Sequence, residues 1–129
     1  MEGFSVNVDM SLKELKQEQI RSFVLPGGNI SGINHAEIKS ILRDLKGRNV
    51  LIAGICAAVD VLDDSGILQN VRSTHSTNED IVNDKNIITA RANAYVDFAI
   101  EVAKELELFV SEDDLQETID FWKNYNRVQ

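Results

Sequence analysis

The stretch Val50 to Leu62 reads VLIAGICAAVDVL, and the fold turns on where in it a strand gives way to a helix. Val50 to Ile55 is rich in β-branched residues and leucine with no polar alternation, the composition of a strand covered on both faces. After Cys56, the residues Ala57, Ala58, Val61 and Leu62 run at helical spacing toward a stop at Gly66, which predicts a short helix. The stretch therefore reads as a central strand, a turn and a helix. Cys56, the single cysteine of the chain, stands at the turn. Two readings fit it equally: a small hydrophobe packed inside, or a nucleophile mounted on a sharp elbow.

The bulk composition bounds what surrounds that turn. The chain has 129 residues, 43% of them hydrophobic, which suits one globular domain over residues 1–129. The apolar run Val50 to Val59 is far shorter than the ~20 residues a membrane-spanning helix needs. The opening MEGFSVNVDMSLKEL has neither a basic start nor a continuous apolar segment, so no secretory signal is read there. Thirteen basic against twenty-one acidic residues give a formal charge of −8, which repels phosphate backbones and argues against nucleic acid as a partner. One cysteine cannot close an intramolecular disulfide, which suits a reducing compartment. The expected setting is the cytoplasm, with no membrane partner.

Outward from the central strand, the pattern is one of alternating strands and helices. Phe4, Val6 and Val8 alternate with Ser5 and Asn7, predicting a strand with one buried face. Ser11 and Glu14 form a capping-box signal for a short helix carrying Leu12 and Leu15. Phe23, Val24 and Leu25 form a short apolar run stopped by Pro26, Gly27 and Gly28, a buried strand ending in a tight turn. Asn34 and Glu37 repeat the capping signal, and Ile38, Ile41, Leu42 and Leu45 then recur at helical spacing until Gly47. A short strand is expected over Val71 to Thr74 and another over Ile87 to Thr89. A long helix follows from Ala94 to Leu108, with Tyr95, Phe98, Ala99, Val102 and Leu106 inward. A C-terminal helix over 111–125 opens at Ser111 and shares Leu115, Ile119 and Trp122 on one face, a packing pattern rather than a cofactor site. Such alternation predicts an α/β fold with a mostly parallel sheet. Ligands in such sheets gather at the carboxyl ends of strands, where both PGGN and GICAA fall.

The chemistry rests on few residues. A strand-to-helix turn holds its central residue in strained geometry and crowds the flanks, so Gly54 before Cys56 and Ala58 after it are the small neighbours required. A helix N-terminus beneath the sulfur is expected to favour the thiolate. Amides from Ala57 and from the glycine turn can face a developing oxyanion. His75, in STHSTNED, is the natural base for Cys56; the plain alternative is a loop histidine facing water. His35 reads as a surface residue. One cysteine and two separated histidines give no metal-ligand spacing. Asp63 with Asp64, and Asp113 with Asp114, read as solvated helix ends.

Taken together, LPGGN, LIAGICAAVDVLDDSGIL, VRSTH and NIITARANAYVDFAIEVAKEL resemble the ThiJ/PfpI family, the superfamily of the parkinsonism-associated deglycase and the class I glutamine amidotransferase-like domains. The likeness runs from Phe4 to about Leu108. It implies a flavodoxin-like three-layer sandwich with Cys56 as nucleophile, His75 beside it, and oxyanion amides at Gly28 and Ala57. It also implies a small carbonyl or acyl substrate, by glyoxalase or deglycase or by amidase or peptidase-like chemistry, with no bound cofactor. Two departures stand out. The family's first strand-helix-strand unit, which carries a glutamate beside the cysteine, has no counterpart here, so the expected sheet is N-terminally shortened. The stretch between His75 and Asn86 is also shorter than the family pattern. A missing first strand would leave an edge of the FVL strand unpaired, so the expectation is a homodimer that covers it, or a truncated product of a longer gene. The alternative to catalysis is a redox-sensing or stress and chaperone-like member.

Overall fold

The structure, a computed structural model, describes residues 3–127. In β2 (Leu51–Ile55), side chains alternate between two buried faces, Ile52 to one and Leu51 and Ala53 to the other. Such a strand needs cover on both sides, and helices supply it. On the Ile52 face lie α1 (Ala36–Gly47), through Ile38, Ile41, Leu42 and Leu45, and α2 (Ala58–Asp64), through Ala58, Val59, Val61 and Leu62. The opposite face, formed by Leu51, Ala53, Ile88 and Ala90, is covered by Phe98 of α3 (Tyr95–Glu105) together with Ala94.

The sheet has the order β1-β2-β4-β3, with β1 (Ser22–Leu25) and β4 (Ile87–Ala90) parallel to β2 on its two sides, and β3 (Ile81–Asp84) antiparallel at the β4 edge. This is the α/β three-layer arrangement with a mostly parallel sheet that the sequence predicts. A last helix, α4 (Glu112–Trp122), follows with Ser111 as its N-cap, the Ser111 hydroxyl accepting from the Asp114 amide at 3.1 Å. The Ser11 capping signal also forms: Glu14 accepts from the Ser11 amide at 2.7 Å and from its hydroxyl at 3.0 Å, closing a 3-10 turn over Leu12–Glu14. The Ser11 amide first, and then its hydroxyl, hold the Glu14 carboxyl below its ordinary pKa.

The structure corrects several sequence expectations. Phe4 to Val8 does not form a strand; Phe4, Val6 and Val8 are 92%, 79% and 78% exposed. Alternation supplies a face, but a strand also needs a partner edge. Val71 to Thr74 is coil and turn, whereas β3, which lies in a stretch read as polar loop, pairs with β4. Its hairpin turns on Lys85 and Asn86, both left-handed at φ 49° and 64°, the geometry a two-residue primed turn requires. The N-cap position of α1 falls on His35, whose side chain makes no capping hydrogen bond, rather than on Asn34, and the left-handed stop after the helix is Asn49 (φ 57°) rather than Gly47. In α3, Tyr95 and Ala99 face solvent while Ile100 is buried. In α4, Leu115 and Ile119 are half-buried, but Trp122 is exposed and meets Phe121 edge to face, their centroids 5.1 Å apart.

A buried polar contact joins the sheet to the segment that carries His75. Thr89, fully buried in β4, accepts the Thr74 amide on its Oγ1 at 3.0 Å. Thr89→Val keeps the shape but strands that amide in a dry site, and is expected to lower unfolding free energy by about 1–3 kcal/mol in urea titration.

Candidate active site

Cys56 lies in the turn between β2 and α2 and is hydrogen-bonded into both. Its amide donates to the Ala90 carbonyl at 2.9 Å, extending the β2 to β4 pairing, and its carbonyl accepts the Val59 amide at 3.1 Å, starting the helical turn. Meeting both demands puts Cys56 at φ 59°, a left-handed conformation that costs a side-chain-bearing residue of order 1–3 kcal/mol. The thiol is exposed at this elbow. Small neighbours make the geometry possible. A Cβ at Gly54 would stand 2.8 Å from Leu62 Cδ1, so glycine there lets α2 close onto β2.

The PGGN turn lies against the same elbow. A Cβ at Gly27 would stand 2.7 Å from Cys56 Cβ, 3.0 Å from the Ile55 carbonyl oxygen and 3.4 Å from Cys56 Sγ. Gly28 has open space but adopts φ +114°, a region glycine enters freely. The two glycines thus serve separate needs, close approach at Gly27 and backbone conformation at Gly28. Among the described residues, no hydrogen bond engages the amides of Gly28 or Ala57, the two expected to face an oxyanion.

His75 is held by α2. Its Nδ1 lies 2.9 Å from Asp63 Oδ2 and its Nε2 lies 3.1 Å from Asp60 Oδ1. Residues three apart share a helix face, so the two aspartates close on the ring from one side of α2. A neutral imidazole has a single N–H and satisfies one carboxylate; both contacts are hydrogen bonds only when both ring nitrogens carry hydrogen. The loop around the ring is tied down as well. The His75 amide donates to Ser73 Oγ at 3.2 Å, and the Arg91 guanidinium donates to the Glu79 and Thr77 carbonyls at 3.2 Å each. Cys56, Val59, Thr74, His75, Ala90, Arg91 and Ala92 together line an open hollow of about 240 Å³. Cys56 and His75 thus meet at one hollow, at the carboxyl ends of β2 and β4.

Sequence reading missed Gly27, Asp60 and Asp63 at this site. Asp63, read as a solvated helix end, instead binds His75, and Asp64 accepts from the Asn34 side chain at 2.9 Å. The signal was present in the spacing of Asp60 and Asp63 directly after the elbow. His35 is exposed, as expected. A larger cleft of about 450 Å³ between β3, α3 and α4 is lined by Asp97, Glu101, Lys104 and Lys123 among others. Its charges pair with one another, Lys104 with Glu101 and Lys123 with Asp97, and its lining holds no cysteine, histidine, serine or threonine.

With this geometry in view, the comparisons with known proteins are direct. The family model described as the DJ-1/PfpI family matches residues 1–105. The chain belongs to the DJ-1/PfpI family. It is 30% identical over 147 aligned positions to the uncharacterized protease YoaZ of Bacillus subtilis, a match covering 98% of this chain and 67% of that protein. A DJ-1 superfamily protein of Agrobacterium tumefaciens superposes with a TM-score of 0.80 at 27% identity, over 96% of this chain and 76% of that one. A thiJ/pfpI family protein of Bacillus anthracis superposes with a TM-score of 0.74 at 23% identity, over 95% of this chain and 66% of that one. These neighbours bear out the flavodoxin-like sandwich in its shortened form.

Gly27→Ala tests the close approach. The added methyl meets backbone and the Cys56 stem rather than a flexible side-chain end, so stability in urea is expected to fall by about 1–3 kcal/mol. Cys56 alkylation by iodoacetamide should change in rate alongside, because the elbow must shift to make room.

Proposed function

We propose that this protein acts through Cys56 on small carbonyl or acyl compounds, by glyoxalase or deglycase or by hydrolase-type chemistry. The observation that carries the proposal is the left-handed, exposed Cys56 at the end of a central strand, with Gly27 packed against it and two uncommitted amides nearby. In the proposed step, the Cys56 thiolate adds to an aldehyde or acyl carbon, and the carbonyl electron pair moves onto oxygen. The amides of Gly28 and Ala57 donate to that oxyanion. His75 then supplies a proton to it or to a leaving group, giving up one of its two carboxylate contacts as it does so. Relation to a protein named as a protease keeps the peptidase-like branch beside the aldehyde branch.

Cys56→Ser should reduce methylglyoxal consumption to the uncatalysed background, and His75→Asn should slow it by roughly 10²–10⁴-fold. Full turnover by the serine variant would remove Cys56 from the mechanism.

A second reading is favoured by a specific observation: both His75 nitrogens are already engaged by Asp60 and Asp63, while the Cys56 thiol is open to solvent. On this reading the protein is a redox-sensing or stress-related member without turnover. The Cys56 thiolate attacks a peroxide oxygen, the O–O bond breaks, and the products are a sulfenic acid and hydroxide, which takes a proton from solvent to become water. Mild peroxide should then add the mass of one oxygen to the intact chain and none to Cys56→Ser. An unmodified wild-type mass, with the thiol still titratable, would rule out the sensor.

For the setting, we propose a cytoplasmic homodimer built from a single domain per chain. Membership of the DJ-1/PfpI family supports the dimer, and the lone cysteine suits a reducing compartment.

A further inference from the structure

Among the described residues, none that lines the hollow at Cys56 is acidic, although the chain as a whole carries a formal charge of −8. The lining side chains that can carry positive charge are His75 and Arg91. Asp60 and Asp63 bracket the His75 ring and offset any charge on it. Arg91 is placed differently. Its Nε donates to the Glu79 carbonyl and its Nη2 to the Thr77 carbonyl, each at 3.2 Å, with the Thr74 carbonyl 3.5 Å from Nη2. These acceptors are neutral. Asp80 Oδ1 lies 3.7 Å from Nε, too far for a hydrogen bond. Among the described residues, no hydrogen bond or ion pair engages Nη1.

The fold holds this guanidinium beside the sulfur. The Ala90 carbonyl takes the Cys56 amide at 2.9 Å, so Arg91 leaves β4 next to the elbow. Thr74, whose carbonyl Nη2 reaches, lines the hollow and directly precedes His75. A guanidinium tied by two of its nitrogens loses little freedom when the third takes a ligand. A carboxylate there gains a charge-assisted hydrogen bond. The acidic surface opposes this only at long range, and physiological salt screens exposed charges beyond about 8 Å. In a hollow of about 240 Å³, such a carboxylate and the carbon at Cys56 are only a few atoms apart.

We propose that Arg91 binds the carboxylate of the compound that Cys56 attacks, so that the substrate class is a small aldehyde or dicarbonyl compound bearing a carboxylate near its reactive carbon. The inference rests on the function proposed above and names its substrate class. Arg91 is on this view a substrate-binding residue and moves no proton.

Iodoacetate and iodoacetamide test the site without turnover. Both bring a methylene carbon to the sulfur and release iodide; one carries a carboxylate, the other a neutral amide. The readout is the ratio of their rates at Cys56 in the folded chain, relative to the same ratio in the urea-unfolded chain. A preference for iodoacetate of roughly tenfold or more is expected. Arg91→Gln should abolish it, and Arg91→Lys, which keeps a charge but gives up the planar fork, should retain part of it. Arg91 also tethers the loop that bears His75, so a cooperative urea transition checks that each variant folds. A wild type without the preference, or a preference that survives Arg91→Gln, would overturn the assignment. Equal loss in the lysine and glutamine variants would also overturn it, by placing the effect in the loop tether rather than in the charge.

Turnover separates this inference from the reading beneath it. Arg91→Gln should raise KM for dioxovalerate, a dicarbonyl aldehyde with a carboxylate, roughly tenfold more than KM for methylglyoxal, with kcat less affected. Equal changes for the two compounds would overturn the role of Arg91 and leave the proposed function standing. Consumption of neither, with the alkylation preference intact, would remove the proposed turnover and leave the carboxylate site.

Discussion

The hydrogen bond from the Cys56 amide to the Ala90 carbonyl constrains everything else at the site. It extends the β2 to β4 pairing one residue past β2, so the chain must then reverse into α2 within a single residue. The left-handed φ of Cys56 is the outcome, and it dictates the composition around it. Gly54 is small because Leu62 closes over it, and Gly27 is small because Cys56 and Ile55 lie against it. Ala58, fully buried, opens α2 against the sheet. A bulkier residue at any of these places would push against packed neighbours in an interior that relaxes little. The strained backbone persists because the parallel pairing on one side and the helix on the other over-determine it.

Helix α2 joins two parts of the site that are distant in sequence. Its apolar face, with Ala58, Val61 and Leu62, is bound into the core, so the helix cannot rotate about its axis without unpacking. Its polar face carries Asp60 and Asp63 to the His75 ring. The histidine is therefore positioned by the same helix that fixes the cysteine, although the loop bearing it arrives from elsewhere. Arg91, directly after β4, clips the loop from the other side through its carbonyl oxygens. Rotating the His75 ring means breaking two carboxylate contacts on a helix that does not yield. Each contact is partly solvent-exposed and individually weak, but the pair fixes an orientation that one alone leaves free.

What the sequence made legible follows from how local each signal was. The continuous apolar run of β2, the helical spacing of α1 and the Pro-Gly-Gly break after Leu25 are short-range patterns, and they held. The motif words also sufficed to place Cys56 on an elbow and His75 at the same hollow. Failures came where an element depends on something remote. Strand β3 has only Ile81 and Val82 as apolar residues before a polar run, and its identity comes from pairing with β4 across the Lys85-Asn86 turn. Phe4–Val8 failed in the opposite sense, having the pattern without an edge in reach. Trp122 shares a helical face with Leu115 and Ile119, but α4 meets the body of the protein near Ile119 and Lys123, leaving the tryptophan in solvent. The spacing of Asp60 and Asp63 on one face of α2 was visible in the sequence, but that this face meets the His75 loop is a tertiary contact that no window of sequence displays.

The shape of the hollow bears on which substrates suit it. At about 240 Å³ and open to solvent, it falls below the ~300–1,000 Å³ of pockets that enclose drug-sized ligands. Enclosure therefore contributes little binding energy, and recognition falls on contacts close to the sulfur. Backbone amides stabilise a developing oxyanion most where water is excluded, so an open hollow weakens that contribution. A compound whose reactive carbon lies within a few atoms of its end can seat that carbon at Cys56 without the surrounding walls. A long acyl or peptidyl chain would lie mostly in water and gain little from the site. On the proposed function, such a hollow suits the aldehyde branch better than the amide branch, because an aldehyde carbon accepts a thiolate with less help from oxyanion stabilisation than an amide carbon requires.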